Sequence, residues 1–441
     1  MKIDELSMLL RNAGIVGCGG AGFPSYAKLK DGIDTVILNC AECEPLLRLH
    51  RQLMEKRAYE ILSALDLTAK TLGAKNVVIG LKSAYKNAIA AIEKNIASFN
   101  NINICKLREV YPAGDEVVLI YEATGRIVPP GSLPASVGVV VFNVETMYNL
   151  YRATQGKNVT HKYVTVAGEV KSPRTYLAPI GMTLGELIDM SGGETTENPA
   201  YLLGGPMMGS LGSREDVVTK TTNAVIVLPD DHYVVMRKNT KISIDLKRAM
   251  AACCQCRYCT DMCPRNLLGH PIEPHMLMRV ASNRDTHNTE PYLNTFFCSG
   301  CGVCEMYACF QGLSPRTLIG AVKGGLRASG VKAPKIEKEP SPVHNRELRR
   351  VPLSRLRARL DLEKYNRSAP MTDEAIEPSE VKILLSQHIG TPSVACVKCG
   401  DMVTAGDVVA KAEDGKLGVD IHSSISGKVT DVTDKFIIVR R

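Results

Sequence analysis

The chain has 441 residues, of which 45% are hydrophobic, and its formal net charge is +8. This length exceeds what one hydrophobic core supports, so we expect several domains. The charged, amphipathic start MKIDELSMLLRN does not resemble a signal peptide, and no apolar run approaches the length of a membrane span, which predicts a cytoplasmic protein with no direct membrane span.

Residues 1–158 alternate segments with helical and strand patterns. Short apolar runs predict strands at 35–38, 76–80, 101–106 and 137–142. Longer amphipathic segments predict helices at 4–12, 47–73 and 83–97. Such alternation predicts an α/β domain, with a Rossmann-like parallel sheet wrapped by helices.

A glycine-rich segment lies between the first predicted helix and the first predicted strand. It reads Gly17-Cys-Gly-Gly-Ala-Gly22-Phe-Pro24 and is followed by Lys28. Successive glycines let backbone N–H groups approach a phosphate closely. The segment is not a G-x-G-x-x-G turn after a strand, so it does not predict an ordinary dinucleotide fingerprint.

Residues 159–240 change character. An alternating strand is predicted at 163–170, Pro173 interrupts the pattern, and a short helix is predicted at 183–191. This part of the chain is predicted to be a small α+β module.

Residues 241–330 contain two cysteine runs, flanked by predicted helices at 244–252 and 273–280. The runs are Cys253-x-x-Cys256-x-x-Cys259-x-x-x-Cys263-Pro264 and Cys298-x-x-Cys301-x-x-Cys304, followed by Cys309. The first matches the bacterial ferredoxin ligand run. Fifteen cysteines without a secretory signal indicate a reducing compartment and metal ligation, not disulfides.

In two-cluster ferredoxins each run lends its fourth cysteine to the other cluster. We therefore expect an α-helical ferredoxin-like domain with two [4Fe–4S] clusters, ligated by Cys253, Cys256, Cys259 and Cys309 and by Cys263, Cys298, Cys301 and Cys304. Four residues, not three, separate Cys304 from Cys309, which departs from the usual spacing. Cys254 is out of register and is expected to be a spare thiol. A zinc site is the alternative.

Residues 331–382 form a basic stretch that is predicted to be a linker, with a candidate helix at 354–365. A solvated linker touching a neighbouring domain is the first interpretation. Binding to an acidic protein or a shell surface is an alternative, whereas nucleic acid binding is disfavoured because no aromatic residues are interleaved. Residues 383–441, with turns at 400–401, 406–407 and 427, predict a small all-β barrel-sandwich.

Four segments of residues 1–158 resemble a known family. GCGGAGFPSYAKL resembles the flavin-binding loop of the RnfC family and of the NADH-binding, FMN-carrying subunit of respiratory complex I. The stretches from Asn39 to Pro45, from Tyr111 to Glu116 and from Asn143 to Thr146 resemble the family motifs N-x-x-E-x-E-P, Y-P-x-G-x-E and N-V-E-T.

The resemblance implies a set of cofactor-binding residues. These are Gly17, Gly19, Gly20, Gly22, Lys28, Asn39, Glu42, Glu44, Gly114, Glu116, Asn143, Glu145 and Thr146. The first glycines and Lys28 would hold the FMN phosphate and the dinucleotide, the two asparagines would contact the flavin, and Glu42 and Glu44 would lie at the nicotinamide nucleotide site. The alternative for these glutamates is that they are acids at a helix start.

The remaining segments extend the resemblance. Val166-Ala-Gly-Glu-Val170 and Thr183-Leu-Gly-Glu-Leu187 resemble an SLBB (β-grasp) domain, and Tyr201–Gly209 resembles RnfC. The tail resembles a biotinyl/lipoyl-type barrel, but no lysine lies between Asp420 and Ser424, so we expect no attached group. The C-terminal position of this barrel resembles the PduS-type cobalamin reductases of bacterial microcompartments.

The resemblance implies an NADH-dependent oxidoreductase that passes electrons through FMN and two [4Fe–4S] clusters to an acceptor. The acceptor would be a cob(III)alamin or cob(II)alamin, presented by an electron-accepting protein such as a cobalamin adenosyltransferase, with a microcompartment shell protein as a further partner. The alternatives are a peripheral RnfC-like electron-input component of a membrane ion-translocating complex and a non-catalytic electron-relay scaffold.

Overall fold

The computed structural model describes residues 1–99 and 101–441. None of the helices in this part of the chain is long and apolar enough to cross a membrane. The first segment contains α1 (Ile3–Asn12), β1 (Thr35–Asn39), α2 (Leu49–Leu72), β2 (Asn76–Lys82), α3 (Lys86–Ile96), β3 (Ile102–Leu107), β4 (Val110–Tyr111), α4 (Glu116–Thr124), β5 (Val139–Asn143) and α5 (Val144–Thr154). Each helix and strand predicted here is present.

Four of these strands form a parallel sheet in the order β3-β2-β1-β5. From β1 the chain continues to β2 and β3 on one side and then returns to place β5 on the other side of β1. The direction of winding therefore reverses between β1 and β5. Ligands bind in such sheets at the crevice beyond the carboxyl ends of the strands. The register places Asn39 beside Asn143 at that edge.

The second segment is a β-grasp module. It contains β6 (His161–Gly168), β7 (Arg174–Pro179), α6 (Leu184–Met190), β8 (Pro199–Leu203), β9 (Ser210–Gly212), β10 (Ala224–Pro229) and α7 (Tyr233–Lys238). The strands form one sheet in the order β7-β6-β10-β8-β9, with β6 and β10 parallel. α6 begins at a capping box between Thr183 and Glu186 and packs its apolar face on this sheet.

The cysteine-rich segment is helical, as predicted. It contains α8 (Ile242–Ala252), α9 (Tyr258–Asp261), α10 (Pro274–Ser282), α11 (Glu290–Leu293) and α12 (Pro315–Ala328). A π-helical turn, Val303–Ala308, includes Cys304 and ends directly before Cys309.

The predicted linker packs against other parts of the chain from Arg346 onward, whereas residues 331–345 include no buried residue. It contains β11 (Val351–Pro352), which pairs with β4, and α13 (Leu353–Arg359). Arg346 and Arg350 form ion pairs with Glu122 of α4, at 2.7 and 2.9 Å. Two of the arginines that suggested a solvated linker therefore fasten this stretch to the α/β domain.

The tail is a small β-sandwich. It contains β12 (Glu380–Leu384), β13 (Val394–Ala395), β14 (Met402–Val403), β15 (Val408–Lys411), β16 (Ile421–His422), β17 (Gly427–Val432) and β18 (Phe436–Arg440), in sheets ordered β12-β18-β17-β14 and β13-β15-β16. The buried Lys220 of the β-grasp module donates hydrogen bonds to the carbonyl oxygens of Gly14 and Asp420, at 2.7 and 2.8 Å. It thereby joins the tail to the first two segments.

Candidate functional site

A cavity of about 460 Å³ opens beyond the carboxyl ends of β1 and β5. Its volume is in the range of small-molecule and cofactor sites. The glycine-rich loop lines it, and so do Ser299 and Cys301 of the second cysteine run. The cavity therefore extends from a loop suited to phosphate to the cysteine-rich segment.

The glycine-rich loop is held in place from two sides. The Cys18 N–H donates to Thr146 Oγ1 at 3.1 Å, and Asn223 of the β-grasp module donates to the Cys18 carbonyl oxygen at 3.0 Å. A Cβ added to Gly19 would lie 2.7 Å from Asn143 Nδ2. Any side chain at this position would therefore displace Asn143 from the cavity wall.

A lysine and a glutamate form an ion pair in the cavity wall. Lys28 Nζ lies 3.1 Å from Glu116 Oε1 and 2.8 Å from the Val141 carbonyl oxygen. Glu116 begins α4, which is capped by Asp115 through hydrogen bonds from Val117 N and Val118 N. Lys28 is thus a cation of the cavity wall that is positioned by a fixed helix start.

The turn at Gly114 is tied to the end of β1. Asn39 Nδ2 donates to the Gly114 carbonyl oxygen at 2.9 Å, and a Cβ on Gly114 would lie 2.3 Å from the Ala41 carbonyl oxygen. Only glycine allows this approach, because the obstacle is backbone. Asn39 and Gly114 together shape the floor of the cavity.

Glu42 is both a helix cap and a cavity residue. Its Oε1 accepts hydrogen bonds from Leu49 N and His50 N at the start of α2, at 3.1 and 3.4 Å. Its Oε2 is buried and has no hydrogen-bond partner among the described residues. Burial raises the pKa of Glu42 to about 7, and it lowers the pKa of the neighbouring His50 to about 3.

Glu44 has a different role from Glu42. Its two carboxylate oxygens accept hydrogen bonds from Met207 N and Met208 N, both at 2.8 Å. The Met207 carbonyl oxygen accepts in turn from Lys238 and Arg316, at 3.3 and 3.1 Å. Glu44 therefore holds a loop of the β-grasp module against the cavity, although the motif resemblance placed it at the nucleotide.

Of the thirteen predicted cofactor residues, only Glu145 does not line the cavity. The others that line it are Gly17, Gly19, Gly20, Gly22, Lys28, Asn39, Glu42, Glu44, Gly114, Glu116, Asn143 and Thr146. The Glu145 carboxylate is buried, where it pairs with Lys162 and accepts a hydrogen bond from Tyr163 N. We correct its assignment: it joins the α/β domain to the β-grasp module.

The sequence reasoning missed several residues of the cavity wall. They are His50, Asn223, Arg265 and Ser299. His50 lies on α2 in helical register with no motif around it, and the others belong to segments distant in sequence. Arg265 forms an ion pair with Asp115 at 3.0 Å and so joins the cysteine-rich segment to α4.

Eight of the fifteen cysteines form two quartets, each beside a small cavity. The inner quartet is Cys263, Cys298, Cys301 and Cys304. The outer quartet is Cys253, Cys256, Cys259 and Cys309, and Cys254 lines the same cavity. Three of the inner cysteines are buried, whereas Cys256 of the outer quartet is exposed. The groups coincide with the ligand sets expected from the sequence.

The irregular spacing before Cys309 has a local structural explanation. The π-helical turn Val303–Ala308 has one residue more per hydrogen-bonded loop than an α-helical turn. Such a turn absorbs the extra residue between Cys304 and Cys309. Cys309 consequently faces the cavity of the outer quartet despite its longer separation from Cys304.

The residues fit the cofactors that the motifs imply. Ser25 Oγ and Glu42 Oε2 are buried polar atoms of the cavity wall without a partner among the described residues, and a bound ligand could satisfy both. The close approaches at Gly19 and Gly114 leave backbone at the surface of the cavity. Each small cavity is lined by at least four thiols, which is the donor set of an iron–sulfur cluster.

Family comparisons divide the chain into four matched regions. Residues 10–152 match the Nuo51 FMN-binding domain and residues 163–210 match the SLBB domain. Residues 252–314 match a 4Fe-4S dicluster domain, and residues 361–440 match the RnfC barrel sandwich hybrid domain. The predicted FMN and [4Fe–4S] cofactors are confirmed, and the zinc alternative is not supported.

Two curated relatives show how far the similarity extends. The chain is 40% identical over 444 aligned residues to the cobalamin reductase PduS of Salmonella typhimurium, covering 100% of this chain and 97% of the relative. It is 35% identical over 274 residues to a component of the Na(+)-translocating ferredoxin:NAD(+) oxidoreductase complex of Acetobacterium woodii, covering 60% of this chain and 59% of the relative.

One solved structure aligns with the chain at low similarity. The NAD+-reducing [NiFe]-hydrogenase in its H2-reduced state aligns with a TM-score of 0.49 and 20% identity, covering 77% of this chain and 69% of that chain.

Proposed function

The chain belongs to the family of PduS-type cobalamin reductases, and from this premise we propose that it reduces a corrinoid with electrons from NADH. It is an NADH-dependent flavo-iron–sulfur oxidoreductase, with an FMN-binding domain and a 4Fe-4S dicluster domain. The corrinoid as the acceptor in this chain is our proposal, and it rests on the similarity to relatives along the full length.

The proposal depends on one observation: the same cavity is lined by the glycine-rich loop and by the second cysteine run. The lining residues of that run are Ser299 and Cys301, and Cys301 belongs to the inner quartet. A flavin bound there would share this cavity with the loop that would hold a cluster. This proximity is what transfer of single electrons between the two groups requires.

Bound FMN supplies a centre that accepts two electrons as a hydride and releases them singly. We assign its phosphate to the backbone of Gly17–Gly22, with Lys28 as the nearby positive charge. Thr146 Oγ1, which accepts a hydrogen bond from Cys18 N, then fixes the loop on which the phosphate would rest. Glu42 retains a free carboxylate oxygen toward the cavity and is the candidate for contact with the nicotinamide nucleotide.

We assign the eight cysteines of the inner and outer quartets as cluster ligands. Burial of Cys263, Cys301 and Cys304 keeps water from the inner site. The Tyr111 hydroxyl and Lys323 ammonium donate to the carbonyl oxygens of Cys301 and Cys298, at 2.6 and 2.9 Å. These bonds fix the loop that carries three of the inner ligands.

We further propose a cytoplasmic protein that acts within a bacterial microcompartment. A corrinoid-binding protein, such as an adenosyltransferase, and a shell protein are the proposed partners. The similarity to PduS spans the full chain, whereas the similarity to the Acetobacterium woodii protein spans 60% of it. This difference supports a microcompartment protein more than a component of a membrane complex.

The test is anaerobic reduction of hydroxocobalamin by NADH with the FMN-loaded, iron–sulfur-reconstituted protein. We expect formation of cob(II)alamin in the visible spectrum and about eight irons per chain. Lys28→Ala should lower the FMN content, whereas Lys30→Ala, an exposed neighbour outside the cavity wall, should not.

Reduction of the clusters by NADH without any reduction of the corrinoid would contradict the proposed acceptor. Failure of NADH to reduce the clusters would leave only the relay-scaffold alternative. Equal FMN contents of the Lys28 and Lys30 variants would contradict the proposed phosphate site.

A further inference from the structure

The two quartets differ in their distance from the cavity and in their exposure. The inner quartet contributes Cys301 to the cavity wall, whereas no cysteine of the outer quartet lines it. Cys256 and the neighbouring Cys254 are exposed. The outer quartet is therefore the end of the cysteine-rich segment that meets solvent.

An aromatic pair is displayed beside the outer quartet. Phe310 follows Cys309 directly and has 70% of its surface exposed. It stacks on Tyr258, which precedes Cys259, with the ring centroids 4.9 Å apart and the planes at 14°. A large, exposed apolar ring in a fixed orientation is typical of a contact surface.

Helix α8 extends the same surface. Its inner face packs Leu246 and Ala249 toward Cys253 and Cys309. Its outer face leaves Ile244 and Met250 about half exposed, at 49% and 48%. Arg248 of α8 donates to the Gly312 carbonyl oxygen at 3.3 Å, which joins the helix to the segment that carries Phe310.

The charges around this patch are mostly positive. Lys247, Arg248, Arg257 and Arg355 are exposed, and Arg355 lies near Tyr258. Arg257 also pairs with Asp261 and Glu273, at 3.5 and 3.8 Å. The acid of α8, Asp245, is buried and accepts hydrogen bonds from Thr240 and Ser314. The exposed apolar residues are thus surrounded by cations, which complement a partner with a negative surface.

We propose that this face, formed by Tyr258, Phe310 and the outer side of α8 with its basic rim, is the electron-exit surface and docks an acidic electron-accepting protein. The proposal rests on the proposed function. Each transfer oxidises this protein by one electron and reduces the redox centre of the acceptor by one, with NADH as the source. No proton or group is exchanged at this step.

The test uses two small haem proteins of opposite charge as acceptors, the acidic cytochrome b5 and the basic cytochrome c. The NADH-reduced holoenzyme is mixed with each cytochrome at low salt under anaerobic conditions, and haem reduction is followed by stopped flow. Freeze-quenched EPR samples record the oxidation of the clusters. We expect cytochrome b5 to be reduced about tenfold faster than cytochrome c, with a difference that shrinks as salt is added.

The variant Arg248→Glu/Arg355→Glu should reverse this preference. The matched control, Lys94→Glu/Lys435→Glu, makes the same change of charge at exposed positions of other domains and should leave it unchanged. Phe310→Ala should slow the reduction of cytochrome b5. The EPR spectrum of this variant before mixing should be the same as that of the parent protein.

An equal loss of rate with both cytochromes, or a change of equal size in the control, would overturn the proposal. Unchanged cytochrome reduction by these surface variants, together with slower reduction of benzoquinone, would also overturn it. That result would indicate an exit open to small acceptors. Clusters that NADH does not reduce would instead refute the proposed function, so the two failures are distinguishable.

Discussion

The Tyr111 hydroxyl donates a 2.6 Å hydrogen bond to the Cys301 carbonyl oxygen. Tyr111 belongs to the α/β domain and lines the cavity, whereas Cys301 belongs to the inner quartet. Both partners are buried. This bond fixes the position of the inner cluster loop relative to the cavity wall.

Tyr111→Phe should lower stability by about 1–3 kcal/mol, because the buried Cys301 carbonyl oxygen loses its partner. The reduction potential and EPR spectrum of one cluster should shift, since hydrogen bonds near the ligands tune cluster potentials. Potentiometric titration followed by EPR measures this. Tyr59→Phe, at an exposed tyrosine, is the control, and identical spectra of the two variants would contradict the coupling.

Glu42→Ala and Glu44→Ala should have different effects. Glu42 lines the cavity and its Oε2 has no partner among the residues that the structure describes, so its loss should raise the apparent KM for NADH about tenfold, as expected for a lost charged hydrogen bond. Both carboxylate oxygens of Glu44 accept hydrogen bonds from Met207 N and Met208 N. Loss of Glu44 should therefore chiefly slow reduction of the clusters. Stopped-flow absorbance separates flavin reduction from cluster reduction. Equal KM values for the two variants would refute the distinction.

The buried Glu42 should make stability depend on pH. Its pKa is raised from 4.5 to about 7, so the folded state holds the proton more tightly than the unfolded state, and stability falls as pH rises through this window. Between pH 6 and 8 the parent protein should lose about 1 kcal/mol relative to Glu42→Gln. Urea unfolding at both pH values measures the difference. Parallel losses in the two proteins would contradict the raised pKa.

Cys309 and Cys254 line the same small cavity but should differ as ligands. Cys309→Ser should remove or damage one cluster and lower the iron content from about eight toward four per chain. Cys254→Ser should leave the content unchanged, since Cys254 is exposed and out of register. Iron and sulfide analysis after anaerobic reconstitution gives the answer. The opposite pattern would assign Cys254 as the ligand.

The Lys162–Glu145 ion pair should contribute to the contact between the first two segments. Both side chains are buried, at 1% and 2% exposure. Lys162→Met leaves a buried carboxylate unpaired and should cost about 3–5 kcal/mol. The double variant Lys162→Met/Glu145→Leu should regain much of this loss, because no isolated charge remains. Urea unfolding of the single and double variants measures both effects, and an additive loss would contradict the pairing.

Local pattern was sufficient to predict most of the fold. Strands such as β1 and β5 are continuous apolar runs, and α2 is an amphipathic segment that ends at Gly73, whose φ of 65° suits glycine. The sequence predicted that the basic stretch touches a neighbouring domain, but it did not identify Glu122 as the partner, because an arginine's partner depends on which distant surface lies beside it.

The sequence alone determined the chemistry of this protein, since cysteine spacing and a run of glycines are local properties that report ligand type and backbone freedom. Only the tertiary structure decided the arrangement. It placed the inner quartet at the cavity and the outer quartet at solvent, brought Cys309 back into reach through a π-helical turn, and turned Glu44 toward Met207 and Glu145 toward Lys162. These are contacts between residues far apart in sequence, and chain folding creates them.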